Sequence, residues 1–142
     1  MIISRTPFRI TLFGGGTDYP QWYNNYTGSV INATINKYCY ITARELPPFF
    51  NYKNRIRYYL HEETDNLNDI KHPSVRETAK FLNMNQGIEI VHNADLPAQS
   101  GLGSSSTFTV GLLNALYGLK NYMPTKRELA LNAIHIEQNL IR

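Results

Sequence analysis

The stretch Pro97-Ala98-Gln99-Ser100-Gly101-Leu102-Gly103-Ser104-Ser105-Ser106 constrains this chain more than any other. It lies between a strand-like apolar run, Ile88-Glu89-Ile90-Val91-His92, and a helix-like run expected to start near Ser104 and end near Leu119. Two glycines allow a backbone bend that a side chain would obstruct, and three hydroxyls stand where the helix begins. The first N–H groups of a helix lack intrahelical acceptors and carry partial positive charge, so a polyphosphate laid against them gains hydrogen bonds and a favourable dipole. A hydroxyl in that turn can cap the helix, touch a phosphate oxygen or ligate a phosphate-bound magnesium. The stretch therefore predicts an anion cradle. No Gly-Lys-Ser/Thr follows, which excludes a Walker loop. A dinucleotide fingerprint fits poorly, because its third glycine position is Ser106 and a loop from Asn93 to Ser100 separates strand from glycines.

A second glycine cluster stands near the start. Ile2 to Phe13 reads as a strand pair or one long strand interrupted at Pro7, with Phe8, Ile10 and Leu12 on one face and Arg9 and Thr11 on the other. Gly14-Gly15-Gly16-Thr17-Asp18-Tyr19-Pro20 must then be a loop, since three glycines hold no regular element and Pro20 has no N–H to donate. Its Thr-Asp pair presents a hydroxyl and a carboxylate where the backbone can approach a ligand closely, as recognition of sugar hydroxyls requires.

Pro97-x-x-x-Gly101-Leu102-Gly103-Ser104-Ser105 resembles the central ATP-binding motif of the GHMP kinases, the superfamily of galactokinase, homoserine kinase, mevalonate kinase and phosphomevalonate kinase. Arg5-x-Pro7-Phe8-Arg9-Ile10-x-Leu12-x-Gly14-Gly15-Gly16-Thr17-Asp18-Tyr19 resembles the N-terminal signature of galactokinases, with Gly15-Gly16 where they carry Glu-His. The Gly-Gly-Gly-Thr-Asp form is similar to the branch that phosphorylates heptose 7-phosphate and to fucokinase-like sugar kinases. The resemblance implies an ATP- and Mg-dependent transfer of the γ-phosphoryl group to the anomeric hydroxyl of a heptose 7-phosphate. The product would feed nucleotide-activated heptose for surface polysaccharide. It implies Pro97, Gly101, Leu102, Gly103, Ser104, Ser105 and Ser106 as the ATP-binding set, and Asp18 with Thr17 and Gly16 at the sugar. It implies Arg9 near the transferred phosphoryl group, where a permanently charged planar guanidinium suits phosphate oxygens, and Ser105 with Glu137 sharing the magnesium, a cation that prefers hard oxygen ligands.

The fold so implied is α+β, with a mixed sheet carrying helices on one face and a likeness to a domain of ribosomal protein S5. Residues 1–142 would form an incomplete N-terminal ATP-binding domain. The family's acceptor-activating aspartate, in a Gly-x-x-Asp-Gln-like context beyond the glutamate helix, its third glycine-rich motif and its C-terminal domain are not in these residues, so this piece alone is expected to be inactive. Two alternatives compete: another sugar kinase of the superfamily, fucokinase- or galactokinase-like, and a noncatalytic S5-like module that senses a sugar or binds RNA.

The 142 residues suffice for one domain with a core. Fourteen Lys+Arg against eleven Asp+Glu are spread along the chain rather than blocked together, so no nucleic-acid surface is indicated. The single cysteine, Cys39, rules out an internal disulfide and suits a reducing compartment. No run reaches transmembrane length, and Met1 to Arg5 lacks a signal-peptide core, so the cytoplasm is the expected location and no membrane partner is expected. The oligomeric state stays open, a homodimer included.

Between the two motifs, Gly28 to Arg44 reads as a long strand or hairpin, Arg55 to Leu60 as a strand and His61 to Lys71 as a polar loop. Pro73 opens a helix to Phe81-Leu82, with Val75, Ala79 and Leu82 inward. The tyrosines at 38, 40, 52, 58 and 59 read as packing residues, and His61, His72, His92 and His135 lack the spacing of a zinc site. Phe108, Leu112, Ala115, Leu116 and Leu119 form a buried stripe. Thr125-Lys126-Arg127-Glu128 is a capping box that opens a last helix, with Leu129, Ala130, Ala133, Ile134, Ile136, Leu140 and Ile141 at its apolar positions. That helix is expected to be still running at Arg142, as in a chain cut inside it.

Overall fold

A computed structural model describes residues 1–98 and 100–141; Gln99 of the glycine-serine stretch and Arg142 lie outside them. The chain builds one five-stranded mixed sheet of order β1-β2-β5-β3-β4. Its strands are β1 (Ile2–Phe13), β2 (Ile31–Glu45), β3 (Asn54–Arg57), β4 (His61–Thr64) and β5 (Ile88–Ala94). The β1–β2, β2–β5 and β3–β4 pairs are antiparallel, and β3–β5 is parallel. The helices are α1 (Pro20–Tyr23), α2 (Pro73–Phe81), α3 (Ser104–Leu119) and α4 (Lys126–His135), the last continued by a π-helical turn at Ile136–Leu140.

Local chemistry accounts for these elements. Pro7 is accommodated because β1 is an edge strand, where a missing N–H costs no ladder bond. The pairing shifts there: Pro7 faces Tyr38 and Arg9 faces Thr34, so two residues of β1 span four of β2. Such bulges re-aim side chains and occur beside functional sites. α3 packs across β1 and β2, while α2 and α4 pack on α3. Ile41, Ala43, Ile88 and Ile90 of the sheet meet Leu112, Leu113 and Leu116 of α3, with Phe8, Val75 and Ile136 in the same buried core. Burying these side chains, at about 1.5–3 kcal/mol each, is what holds α3 to the sheet.

Several expectations change. His61–Thr64 is not loop but the edge strand β4, because Glu62 turns inward and is buried despite its charge. The strand expected to reach Leu60 stops at Arg57. Leu12 does not share the burial of Phe8, since the end of β1 lies beyond α3, and it is 55% exposed against 1% for Phe8. The first part of β2, from Ile31 through Thr34, is also exposed, because β5 pairs with β2 only from Cys39 onward.

The last helix meets its neighbours along a narrow stripe. Ala133 and Ile136 are buried, Leu129 and Ile141 partly so, while Ala130, Ile134 and Leu140 are exposed. Its capping box is half formed: Thr125 Oγ1 accepts the Glu128 N–H, but the Glu128 carboxylate takes the Tyr122 hydroxyl instead of reaching back. Ile141 leaves the helical region with ψ of 74°, so the described helix ends at Leu140.

Candidate active site

Everything at the site is arranged about the first turn of α3. Gly101 and Gly103 take left-handed φ of 73° and 75°, and Gly103 serves as the N-cap without a side-chain cap. The Thr107 N–H closes the first helical bond onto the Gly103 carbonyl at 2.9 Å. The amides of Ser104, Ser105 and Ser106 precede that bond and are left for a ligand. β1 runs alongside. The Arg9 N–H donates to the Leu102 carbonyl at 3.3 Å, and the Arg9 stem lies so close to Gly103 that an added Cβ would sit 3.2 Å from Arg9 Cγ and Nε. Arg9 Nη1 donates to Thr11 Oγ1 at 2.8 Å, which steadies the guanidinium over the turn.

The Gly14 loop closes a second side. Gly14, at φ 81°, has no room for a Cβ because the Ser29 carbonyl occupies the place. The Thr17 hydroxyl donates to the Gly14 carbonyl at 2.8 Å and accepts the Ser29 N–H at 3.1 Å, bracing both ends of the excursion between β1 and β2. Asp18 follows with an exposed carboxylate. Tyr23 of α1 donates to Gln138 Oε1 at 3.1 Å and ties this loop to the π-helical turn.

That turn supplies Glu137. Its Oε1 accepts Ser105 Oγ at 2.9 Å and Thr109 Oγ1 at 3.1 Å, two hydroxyls one helical turn apart on α3. Carboxylate and hydroxyl oxygens beside free amides are the hard donor set that magnesium and phosphate together require, so the residues present fit a magnesium–phosphate ligand.

Arg9, Asp18, Ser104 to Ser106 and Glu137 thus line one cleft of about 570 Å³, together with Gly15. Gly16, Thr17 and Pro97 do not line it: Gly16 and Pro97 are exposed elsewhere, and Thr17 faces its own loop. Leu102 reaches the site through its carbonyl only. No group of three or more His, Cys, Asp or Glu among the described residues could hold a metal ion by itself, and no helix there is long and apolar enough to cross a membrane.

Next to the cleft, and sharing Ser104 and Ser105 with it, lies a mainly apolar cavity of about 250 Å³. Its wall is a chain of rings. Tyr58 meets His72 edge-on at 4.8 Å, His72 stacks on Phe108 at 4.7 Å, and His92 meets Phe108 edge-on at 5.0 Å. Burial holds both imidazoles below their ordinary 6.5; at His72 the Glu62 charge opposes that push without reversing it. Sequence reasoning gave these rings no role. They come from the end of β3, the residue that caps α2, β5 and α3, and no spacing in the chain links them.

The fold is a mixed α+β domain with a glycine-serine turn at the start of a buried helix, and residues 71–141 match the N-terminal domain of the GHMP kinases. The chain belongs to the GHMP kinase family. It is 34% identical to the D-glycero-alpha-D-manno-heptose 7-phosphate kinase of Campylobacter jejuni, over 96% of this chain and 43% of that protein. Its structure matches a D-glycero-D-manno-heptose 1-phosphate kinase from Bacteroides thetaiotaomicron at a TM-score of 0.81 and 26% identity, covering 98% of this chain and 48% of the other. The galactokinase of Lactococcus lactis, solved with galactose, has the same fold at a TM-score of 0.72 and 22% identity, with 98% of this chain and 38% of that one covered. The chain thus spans about half the length of these relatives.

Proposed function

We propose that residues 1–142 are the ATP-binding N-terminal domain of a sugar kinase that transfers the γ-phosphoryl group of ATP to the anomeric hydroxyl of a heptose 7-phosphate. The observation that carries this reading is the meeting of two cavities at Ser104 and Ser105. One is narrow and walled by rings, suited to a flat base. The other is polar and holds an arginine, two carboxylates and free helix amides, suited to a triphosphate and its acceptor. A nucleoside triphosphate has that division of chemistry within one molecule. The likeness to heptose phosphate kinases supports a heptose phosphate as the acceptor in this reading.

In this reading each residue has a positional task, which is most of what phosphoryl transfer asks of a protein. The amides of Ser104 to Ser106 hold phosphate oxygens along the α3 dipole. Arg9, fixed by Thr11 and Gly103, balances the charge on the oxygens of the moving phosphoryl group and that growing on the ADP oxygen, which keeps the electron pair as the bond between them breaks. Asp18 accepts hydrogen bonds from sugar hydroxyls and orients the attacking oxygen, while Thr17 keeps that loop in shape. Ser105 and Glu137 would hold magnesium, which when bound draws charge off the phosphates.

The test is ADP formation by the complete protein given Mg-ATP and D-glycero-D-manno-heptose 7-phosphate. Sugar-dependent ADP formation that falls about a hundredfold or more in Asp18→Ala is the expected result, by analogy with other lost orienting contacts. ADP formation that does not require the sugar, or that survives Asp18→Ala unchanged, contradicts the assignment.

A further inference from the structure

Glu62 is a buried carboxylate with no role in the cleft. It stands on β4, 8% exposed, and among the described residues no cation pairs with it. Its charge is met by three neutral donors. Oε1 accepts the Tyr58 hydroxyl at 2.7 Å and the His72 N–H at 3.1 Å, and Oε2 accepts the Lys71 N–H at 2.6 Å. Two of these donors belong to residues of the ring-walled cavity. The third belongs to the segment that leads into α2. Lysine and histidine amides here stand just before Pro73, where the helix has not begun, so nothing within α2 would otherwise accept them.

We propose that Glu62 is a positioning residue for the base-binding cavity. It clamps the start of α2 to the β3–β4 hairpin and so sets the distance between Tyr58 and His72, on which the His72–Phe108 stack depends. The argument rests on the nucleotide reading above, because the cavity must take a base for its width to matter. A buried carboxylate with charge-assisted hydrogen bonds resists displacement more strongly than a neutral acceptor would. A glutamine at this place has one oxygen for two backbone amides and the phenol, and its own NH2 would face a donor. Loss of one or two such bonds lets the wall of the cavity drift. The phosphate cradle at Ser104 to Ser106, held by β1 and α3, does not depend on Glu62.

The clamp therefore separates two affinities. In the complete protein, Glu62→Gln should weaken binding of a fluorescent ADP analogue carrying its label on the ribose by about tenfold, the cost of one charge-assisted bond. Binding of inorganic tripolyphosphate, read directly by titration calorimetry, should stay unchanged. Tyr58→Phe keeps the ring and the fold and removes one donor, so it should show the same selective loss to a smaller extent. Equal loss for both ligands in these variants, or no loss for either, overturns the proposal while leaving nucleotide binding in place. If the unsubstituted protein binds tripolyphosphate but not the ADP analogue, the nucleotide reading falls and this inference with it.

Discussion

Ser105 on α3 and Glu137 on the π-helical turn after α4 are thirty-two residues apart and joined by a hydrogen bond of 2.9 Å. Thr109 donates to the same oxygen, Oε1, at 3.1 Å. Because α4 meets the rest of the domain along a narrow stripe, this pair of bonds is a main polar link that fixes where the carboxylate sits. Glu137→Gln should lower the affinity for magnesium-bound ADP by about ten- to a hundredfold, as substitutions around metal ligands do. Affinity for ADP with the metal chelated should change little. Titration calorimetry with and without chelator reads both, and an equal loss in the two conditions would mean that Glu137 acts on the nucleotide and not through the cation.

Gly103 is fixed by two constraints at once, a φ of 75° and the Arg9 side chain lying 3.2 Å from where a Cβ would go. Gly103→Ala should cost about 1–3 kcal/mol of stability from the left-handed backbone alone. It should also push Arg9 off the turn and weaken phosphate binding. Gly101→Ala meets the same backbone penalty at φ 73° but no neighbour within 4 Å, so its effect on phosphate affinity should be smaller. Thermal melts and tripolyphosphate titrations of the two variants make the comparison.

Thr17 and Asp18 are adjacent and should fail in different ways. The Thr17 hydroxyl is occupied by Gly14 and Ser29. Thr17→Val should lower stability by about 1 kcal/mol, the worth of the lost bonds. Asp18, exposed in the cleft, should leave the melting temperature unchanged when replaced by alanine and reduce sugar binding and sugar-dependent turnover instead.

The pH dependence of stability should fall into two windows. His72 and His92 are held below 6.5 by burial, so between that value and their lowered ones the unfolded chain binds more protons than the folded chain. Stability is then complete above pH 6.5 and lost as pH falls below it. Glu89 differs in cause. Burial raises its carboxyl, but hydrogen bonds from Arg44 and Arg55 more than offset this and hold it below 4.5, so its contribution is present above pH 4.5 and lost as pH drops through the lowered value. His92→Gln should flatten the upper step and Glu89→Gln the lower one in a series of thermal melts.

The elements that were legible in the sequence carry punctuation that physics leaves little freedom to misread. Gly103 and the serines fixed the start of α3, Pro73 fixed the start of α2, and the glycines after Phe13 fixed the loop that holds Asp18. The meeting of Arg9, Asp18, the serines and Glu137 in one cleft follows from both motifs lying against α3. What stayed hidden depends on contacts between distant segments. β4 was unreadable because its strand, His61-Glu62-Glu63-Thr64, has no apolar alternation and buries an acid. The ring cavity was unreadable because Tyr58, His72, His92 and Phe108 converge only through the sheet order. Residues of α4 such as Ile134 keep a helical spacing, yet they remain exposed because helical spacing does not say how wide a stripe the neighbours will cover.

The most direct measurement is phosphorus NMR of the product formed by the complete protein from Mg-ATP and D-glycero-D-manno-heptose 7-phosphate. The account predicts a new sugar phosphate resonance coupled to the anomeric proton, appearing in step with ADP while the 7-phosphate signal persists. A phosphoryl group on any other hydroxyl would contradict the acceptor assignment, and ATP that stays intact in the presence of the sugar would contradict the kinase reading itself.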